Sequence, residues 1–272
     1  MTPQDQLQRE AAGRPLAVAT TVGSVVFQLV ALVVGASLRQ APGNAPGAVL
    51  EVPRYLSEHA TAFIASGALL AAGYALLAPT LDYLYRATKA RRPELPGVAR
   101  VTAYAGPVLL GVGLVVLRVI QVVGADDYVA HHRADYFAAQ KVASPGVAAG
   151  ILPAGAFALG FAFVLISLNA MRAGLLTRFM GVLGIIVGVF VAIQYPTPSP
   201  ILWFWLGAVA YLFAGRWPNG VPPAWRTGRA EPWPTAQELR ERRERERARA
   251  EQPAPERPAR RARSRKRRGK RR

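Results

Sequence analysis

Residues 16–38, LAVATTVGSVVFQLVALVVGASL, hold no charged side chain and one strongly polar one, Gln28. At about 1.5 Å rise per residue, a helix of this length crosses a hydrocarbon core of ~30 Å. A lone segment in hydrocarbon must satisfy its own backbone, and a helix does so. Arg9 and Arg14 precede the run, as they would in a cleaved signal peptide. The run is longer than the ~7–15 residues of a signal core and lacks a clean small-x-small end. It is read as a first transmembrane helix.

Further apolar stretches fall at about 60–84, 101–125, 147–170, 179–195 and 201–215. The expectation is an all-α fold, a polytopic transmembrane helix bundle of about six spans over 16–215. The last two stretches are short and are separated by Pro196-Thr197-Pro198-Ser199-Pro200. Proline lacks the N–H and restricts its predecessor, so no helix continues through this segment. Residues 179–215 are therefore two thin spans or a re-entrant hairpin, and in either case the chain returns to the side it left.

Charge is divided unevenly. Residues 1–215 carry 14 Lys/Arg and 9 Asp/Glu, whereas residues 216–272 carry 20 and 7. Arg9, Arg14, Arg86, Lys89, Arg91, Arg92, Arg100, Arg172 and Arg178 fall on one side of the alternating spans. Arg39, Arg54, Arg133 and Lys141 fall on the other. The Lys/Arg-rich side is cytoplasmic by the positive-inside rule. This places both termini in the cytoplasm and the chain in the cell membrane. The small-residue pairs Gly146-x-x-x-Gly150 and Gly184-x-x-x-Gly188, with Ala68, Ala72 and Gly73, fit close helix approach inside the bundle or, alternatively, a homo-oligomer face.

Arg118 is the one charge well inside a span. It lies 17 residues, about 25 Å, beyond the start of its helix at 101. Gln121 shares its face at i+3 and Asp126 continues the stripe at i+8, while Glu58, His59 and Gln194 reach similar depth. Asp82 sits at the opposite end. Arg118, Gln121, Glu58 and Asp126 thus form a candidate intramembrane polar site; the alternative is an arginine that snorkels to the outer headgroups. In the outer loop, Asp127, His131 and Asp135 have helical spacing, but no fourth ligand is evident. The loop reads better as an amphipathic surface helix than as a metal site. With no cysteine, thiolate catalysis is excluded, and no catalytic, cofactor or metal motif stands out.

Residues 216–234 place Trp217, Trp225 and Trp233 among closely spaced prolines, which reads as an extended juxtamembrane linker with headgroup-level tryptophans. Thr235-Ala-Gln-Glu238 is a capping box opening a charged helix over 235–251. Residues 252–272 have a disordered composition. Within them Arg257, Arg260, Arg261, Arg263, Arg265, Lys266, Arg267, Arg268, Lys270, Arg271 and Arg272 form a polybasic end with no acid after Glu256. Such a run binds polyanions, either anionic lipid headgroups or RNA and ribosomes.

The stretches FALGFAFVLISLNAMRAGLLTRFMGVLGIIVG (157–188) and GRWPNGVPPAWRTGRAEPWPTAQELRE (215–241), followed by the Lys/Arg-rich end, resemble a group of uncharacterised actinobacterial multi-pass membrane proteins. The resemblance implies architecture and membrane localisation, and no activity. The expectation is a non-enzymatic membrane protein whose basic tail serves interaction or organisation. The alternative is a small transporter or permease with a polar path at Arg118 and Gln121. Reporter fusions at Pro93, Ala45 and Gly269 should report cytoplasm, outside and cytoplasm; an outside signal at Gly269 would overturn the orientation.

Overall fold

The computed structural model describes residues 2–37, 48–131, 135–143, 148–193, 199–218 and 220–231, with Trp233, Arg240, Glu244 and Arg245. Among these residues the only regular structure is helical. Helix α1 (Pro3–Ser37) begins well before the apolar run, because charge ends a span without ending a helix. After α2 (Ala48–Glu58), α3 (Ala60–Ala75) and α4 (Leu77–Arg91) form one two-part rod. The rod breaks at Leu76, three residues before Pro79, whose ring and missing N–H remove the bond to the Ala75 carbonyl. Then come α5 (Val98–Ala130), α6 (Tyr136–Ala143), α7 (Ala148–Arg172), α8 (Arg178–Ile193), α9 (Pro200–Phe213) and the short α10 (Pro223–Thr227).

Among the described residues, four helical stretches are long and apolar enough to cross a membrane: Pro3–Ala36, Ala60–Arg91, Val98–Ala130 and Gly150–Arg172. Helices α8 and α9, of 16 and 14 residues, fall short of the ~20 residues of a full crossing. The long helices present an apolar exterior, with Leu16, Val33, Val101, Val123 and Phe157 all largely exposed. In water such a surface would aggregate, whereas in a bilayer it is the lipid contact.

Helix α1 packs on α3, α4 and α9; α5 packs on α3, α4 and α7; α7 packs on α8, and α8 on α9, closing a ring. Its interior holds Leu77, Leu81, Leu110, Leu159, Phe163 and Trp205, all essentially without solvent contact. Lipid tails are as apolar as leucine, so small residues that permit close approach become the adhesive. At the α7–α8 seam, a Cβ on Gly188 would stand 2.6 Å from the Gly160 carbonyl oxygen and 2.9 Å from Phe163 Cβ. Gly184 faces Ser167 and Trp205, and Gly73 faces Gln28 and Ser24 of α1. The Gly184/Gly188 pair therefore serves contact within the chain. Gly150 meets nothing within 4 Å, and Gly146 lies outside the described residues.

Helix α5, at 33 residues, is about 50 Å long and outruns the hydrocarbon core. Of the loop read as one amphipathic surface helix, residues 125–130 continue α5 and residues 136–143 form the separate α6. Ala125 and Tyr128 pack with Leu56 of α2 and with Ala139 and Val142 of α6, forming a second small core.

Gly188→Leu should lower thermal stability in detergent by roughly 1–3 kcal/mol or more, since backbone rather than a flexible side chain must move. Gly150→Ala, made into open space, should leave the melting temperature unchanged or slightly raised.

Candidate functional site

Two arginines reach into the bundle, and their surroundings are opposite in kind. The first is Arg91 at the end of α4, with a fully buried side chain. Its Nη1 donates to Glu10 Oε1 and, at 2.8 Å, to the Ala87 carbonyl. Its Nη2 donates to Glu10 Oε2 at 3.0 Å and to the Ala224 carbonyl at 2.7 Å, and its Nε donates to that same carbonyl at 3.1 Å. A guanidinium has five N–H donors, and all five are used. Such a group holds structure together and has nothing left for a ligand.

Around this pair the chain closes a cap. Tyr83 Oη donates to the Glu10 carbonyl at 3.0 Å, and the Tyr83 ring stacks on Trp225 at 5.8 Å. Arg91 lies 5.5 Å from the Trp225 ring centre, a cation–π distance. Trp225 is buried and donates from Nε1 to the Leu175 carbonyl at 3.0 Å. The segment stays folded because Pro223 opens α10 with its φ already set, and Gly228 ends it in the left-handed region at φ 68°. The Glu231 N–H then donates to the Ala173 carbonyl at 3.2 Å. This corrects the extended-linker expectation. Trp225 is not a headgroup anchor but a plug joining the ends of α1, α4 and α7 to α10.

Arg118 is the second. Its stem lies against Gly67 and its guanidinium over the Phe63 ring, 4.0 Å from the centre. Nη1 donates to Gln121 Oε1 at a long 3.4 Å, and Nε is buried with no hydrogen-bond partner. Among the described residues no acidic side chain pairs with it. Glu58 Oε1 instead takes Arg54 Nε at 3.1 Å, and Asp126 Oδ1 accepts from Ser57 Oγ at 2.5 Å. Of the four expected site residues, the structure joins Arg118 to Gln121 and leaves Glu58 and Asp126 engaged elsewhere. Gln194 lies outside the described residues.

Asp82, set apart from Arg118 by sequence, bridges Arg86 Nη2 at 2.5 Å and Arg100 Nε at 2.7 Å and so ties α4 to α5. Near the junction of α5 and α6, Asp127 pairs with His131 at 3.1 Å, while Asp135 accepts the Phe137 N–H and starts α6. The capping box at Thr235 and the basic residues Arg260, Arg261, Arg263, Arg265, Lys266, Arg267, Arg268, Lys270, Arg271 and Arg272 lie outside the described residues. Sequence reasoning missed the Glu10–Arg91 pair, whose members are 81 positions apart and both look like interfacial charges. Comparison with family models, with curated proteins and with solved structures finds no match.

Glu10→Gln would strand a buried guanidinium, at a cost of roughly 3–5 kcal/mol. Limited proteolysis should then cut within 220–231 faster than in the parent chain.

Proposed function

We propose that the chain is a six-span protein of the cell membrane with both termini in the cytoplasm, that it is non-enzymatic, and that it holds a polybasic segment at the inner membrane surface. On this reading α8 and α9 make the last two crossings, and the bundle is an anchor. Its basic end, residues 257–272, binds anionic lipid headgroups by charge alone.

The observation that carries this reading is the cap of Arg91, Glu10, Ala224 and Trp225. It fastens the chain to the end of the bundle as far as Glu231, 26 positions before the basic end begins at Arg257. Tethering there keeps the local concentration of the basic end high at one surface. Each basic residue near an anionic surface contributes about 1 kcal/mol, so eleven of them need no sequence-specific contact. The absence of aromatic residues after Trp233 argues against single-stranded nucleic acid, where base stacking supplies affinity. The permease reading draws less support. The ring interior is filled by large apolar side chains, and around Arg118 lie Gln121, Phe63 and Gly67, with no acidic side chain paired to it among the described residues.

The chain has no cysteine, so a fluorophore on Gly269→Cys reports the tail alone. In bilayers containing phosphatidylglycerol its emission should shift to the blue, and in phosphatidylcholine it should not. Raising salt from 0.1 M to 1 M, which shortens the Debye length from about 10 Å to 3 Å, should reverse the shift. Replacing Arg260, Arg261, Arg263, Arg265, Arg267 and Arg268 with Gln should abolish it. Displacement by RNA at physiological salt would make nucleic acid the partner, and loss of binding on scrambling the tail would refute the charge-only account.

A further inference from the structure

A groove of about 370 Å³ runs along the outside of the bundle between α1 and α9. Its walls are Val18, Val22, Val25 and Val26 on one side and Leu206, Ala210 and Tyr211 on the other. Thr21 also lines it, but its hydroxyl is already bonded to the Ala17 carbonyl at 2.6 Å and to Thr80 Oγ1 at 3.1 Å. The wall is therefore apolar in effect. Gly207 forms part of the lining, and a Cβ built on it meets nothing within 4 Å. With no side chain at this position, the trench is open there.

One end of the groove is cationic. Helix α9 stops in a Schellman turn: the Gly215 N–H donates to the Leu212 carbonyl at 2.9 Å and the Arg216 N–H to the Tyr211 carbonyl at 3.2 Å, with Gly215 at φ 72°. The turn sets Arg216 at the groove mouth, where its side chain is part of the lining. Arg14 of α1 arrives at the same place, since a Cβ on Gly215 would stand 3.6 Å from Arg14 Nη1. Among the described residues neither arginine has an acidic partner. Beyond the other end, Trp203 Nε1 donates to Gln28 Oε1 at 3.0 Å and ties the two helices together. From Arg14 to Val26 the helix rises about 18 Å, close to half of a ~30 Å hydrocarbon core, the depth of one leaflet.

We propose that the α1–α9 groove is a binding site for one anionic glycerophospholipid, its phosphate held by Arg14 and Arg216 and one acyl chain lying over Gly207. Length, apolarity and charge at one end match that amphiphile. A zwitterionic lipid such as phosphatidylcholine brings a cation of its own beside the phosphate and so offsets the two guanidinium groups less well, and a water-soluble phosphate would leave the apolar trench uncovered. The site is separate from the basic tail and does not depend on what the tail binds.

The test is native mass spectrometry of the full chain released from detergent after incubation with phosphatidylglycerol or phosphatidylcholine. One phosphatidylglycerol should be retained preferentially. Gly207→Phe should remove that retained lipid while leaving the melting temperature in lipid-free detergent unchanged. Arg14→Gln and Arg216→Gln should each reduce the preference for phosphatidylglycerol about fivefold. Arg216 is exposed, so its variant keeps the test decisive even if Gly207→Phe fails to fold. A chain with the tail arginines replaced by Gln should retain the lipid, which separates this site from the tail. Retention unchanged by Arg216→Gln and Arg14→Gln, or equal retention of the two lipids by the parent chain, would overturn the proposal.

Discussion

A leucine gains little by leaving lipid for the inside of a helix bundle, so hydrophobic burial cannot assemble this chain as it would a soluble one. What remains is close packing and the pairing of polar groups that hydrocarbon leaves no other way to satisfy. Both devices recur. The α7–α8 seam is set by Gly160 and Gly188, whose backbones nearly touch. The α1–α4 seam is set by Thr20, Thr21 and Thr80, whose hydroxyls lie 3.1–3.2 Å apart, and Ser24 donates to the Gly73 carbonyl at 2.7 Å. The break at Leu76 belongs to the same scheme, because Thr80 Oγ1 returns a bond to the Leu76 carbonyl at 3.0 Å.

At the end of the bundle that carries the N terminus, Arg91 does for the polar interface what the glycines do in the interior. It gathers a carboxylate from α1, a carbonyl from its own helix and a carbonyl from α10. A buried ion pair is weak evidence of net stability, since desolvating both charges offsets much of their attraction. Its effect is specificity. Only one arrangement of α1, α4 and α10 supplies the four acceptor atoms that its five N–H groups use, and that arrangement also seats Trp225 between Tyr83 and Leu175.

Hydropathy made the apolar helices legible because lipid imposes length and composition together. Proline density made the cap illegible: a segment with Pro222 and Pro223 looks extended unless Pro223 is read as the first helical position and Gly228 as the stop. Charge marks the start of the first apolar run at Leu16 but not the start of its helix, and α1 begins at Pro3. The Arg118 cluster was half legible. Spacing along α5 gives Gln121 correctly, since i+3 is a local relation. Spacing across helices carries no such information, and Glu58 and Asp126 turn to nearer partners, Arg54 and Ser57.

Gln28 has a consequence in time as well as in space. Its amide nitrogen reaches Ser24 on its own helix, but its carbonyl oxygen is met by Trp203, 175 residues later in the chain. Throughout synthesis of the intervening helices that acceptor sits in α1 with its eventual donor not yet made. The early helices therefore enter the bilayer holding an open valence that only α9 closes. The bond that finishes the ring doubles as a marker of completion: a chain arrested before Trp203 differs from a finished one by the unmet carbonyl oxygen of Gln28.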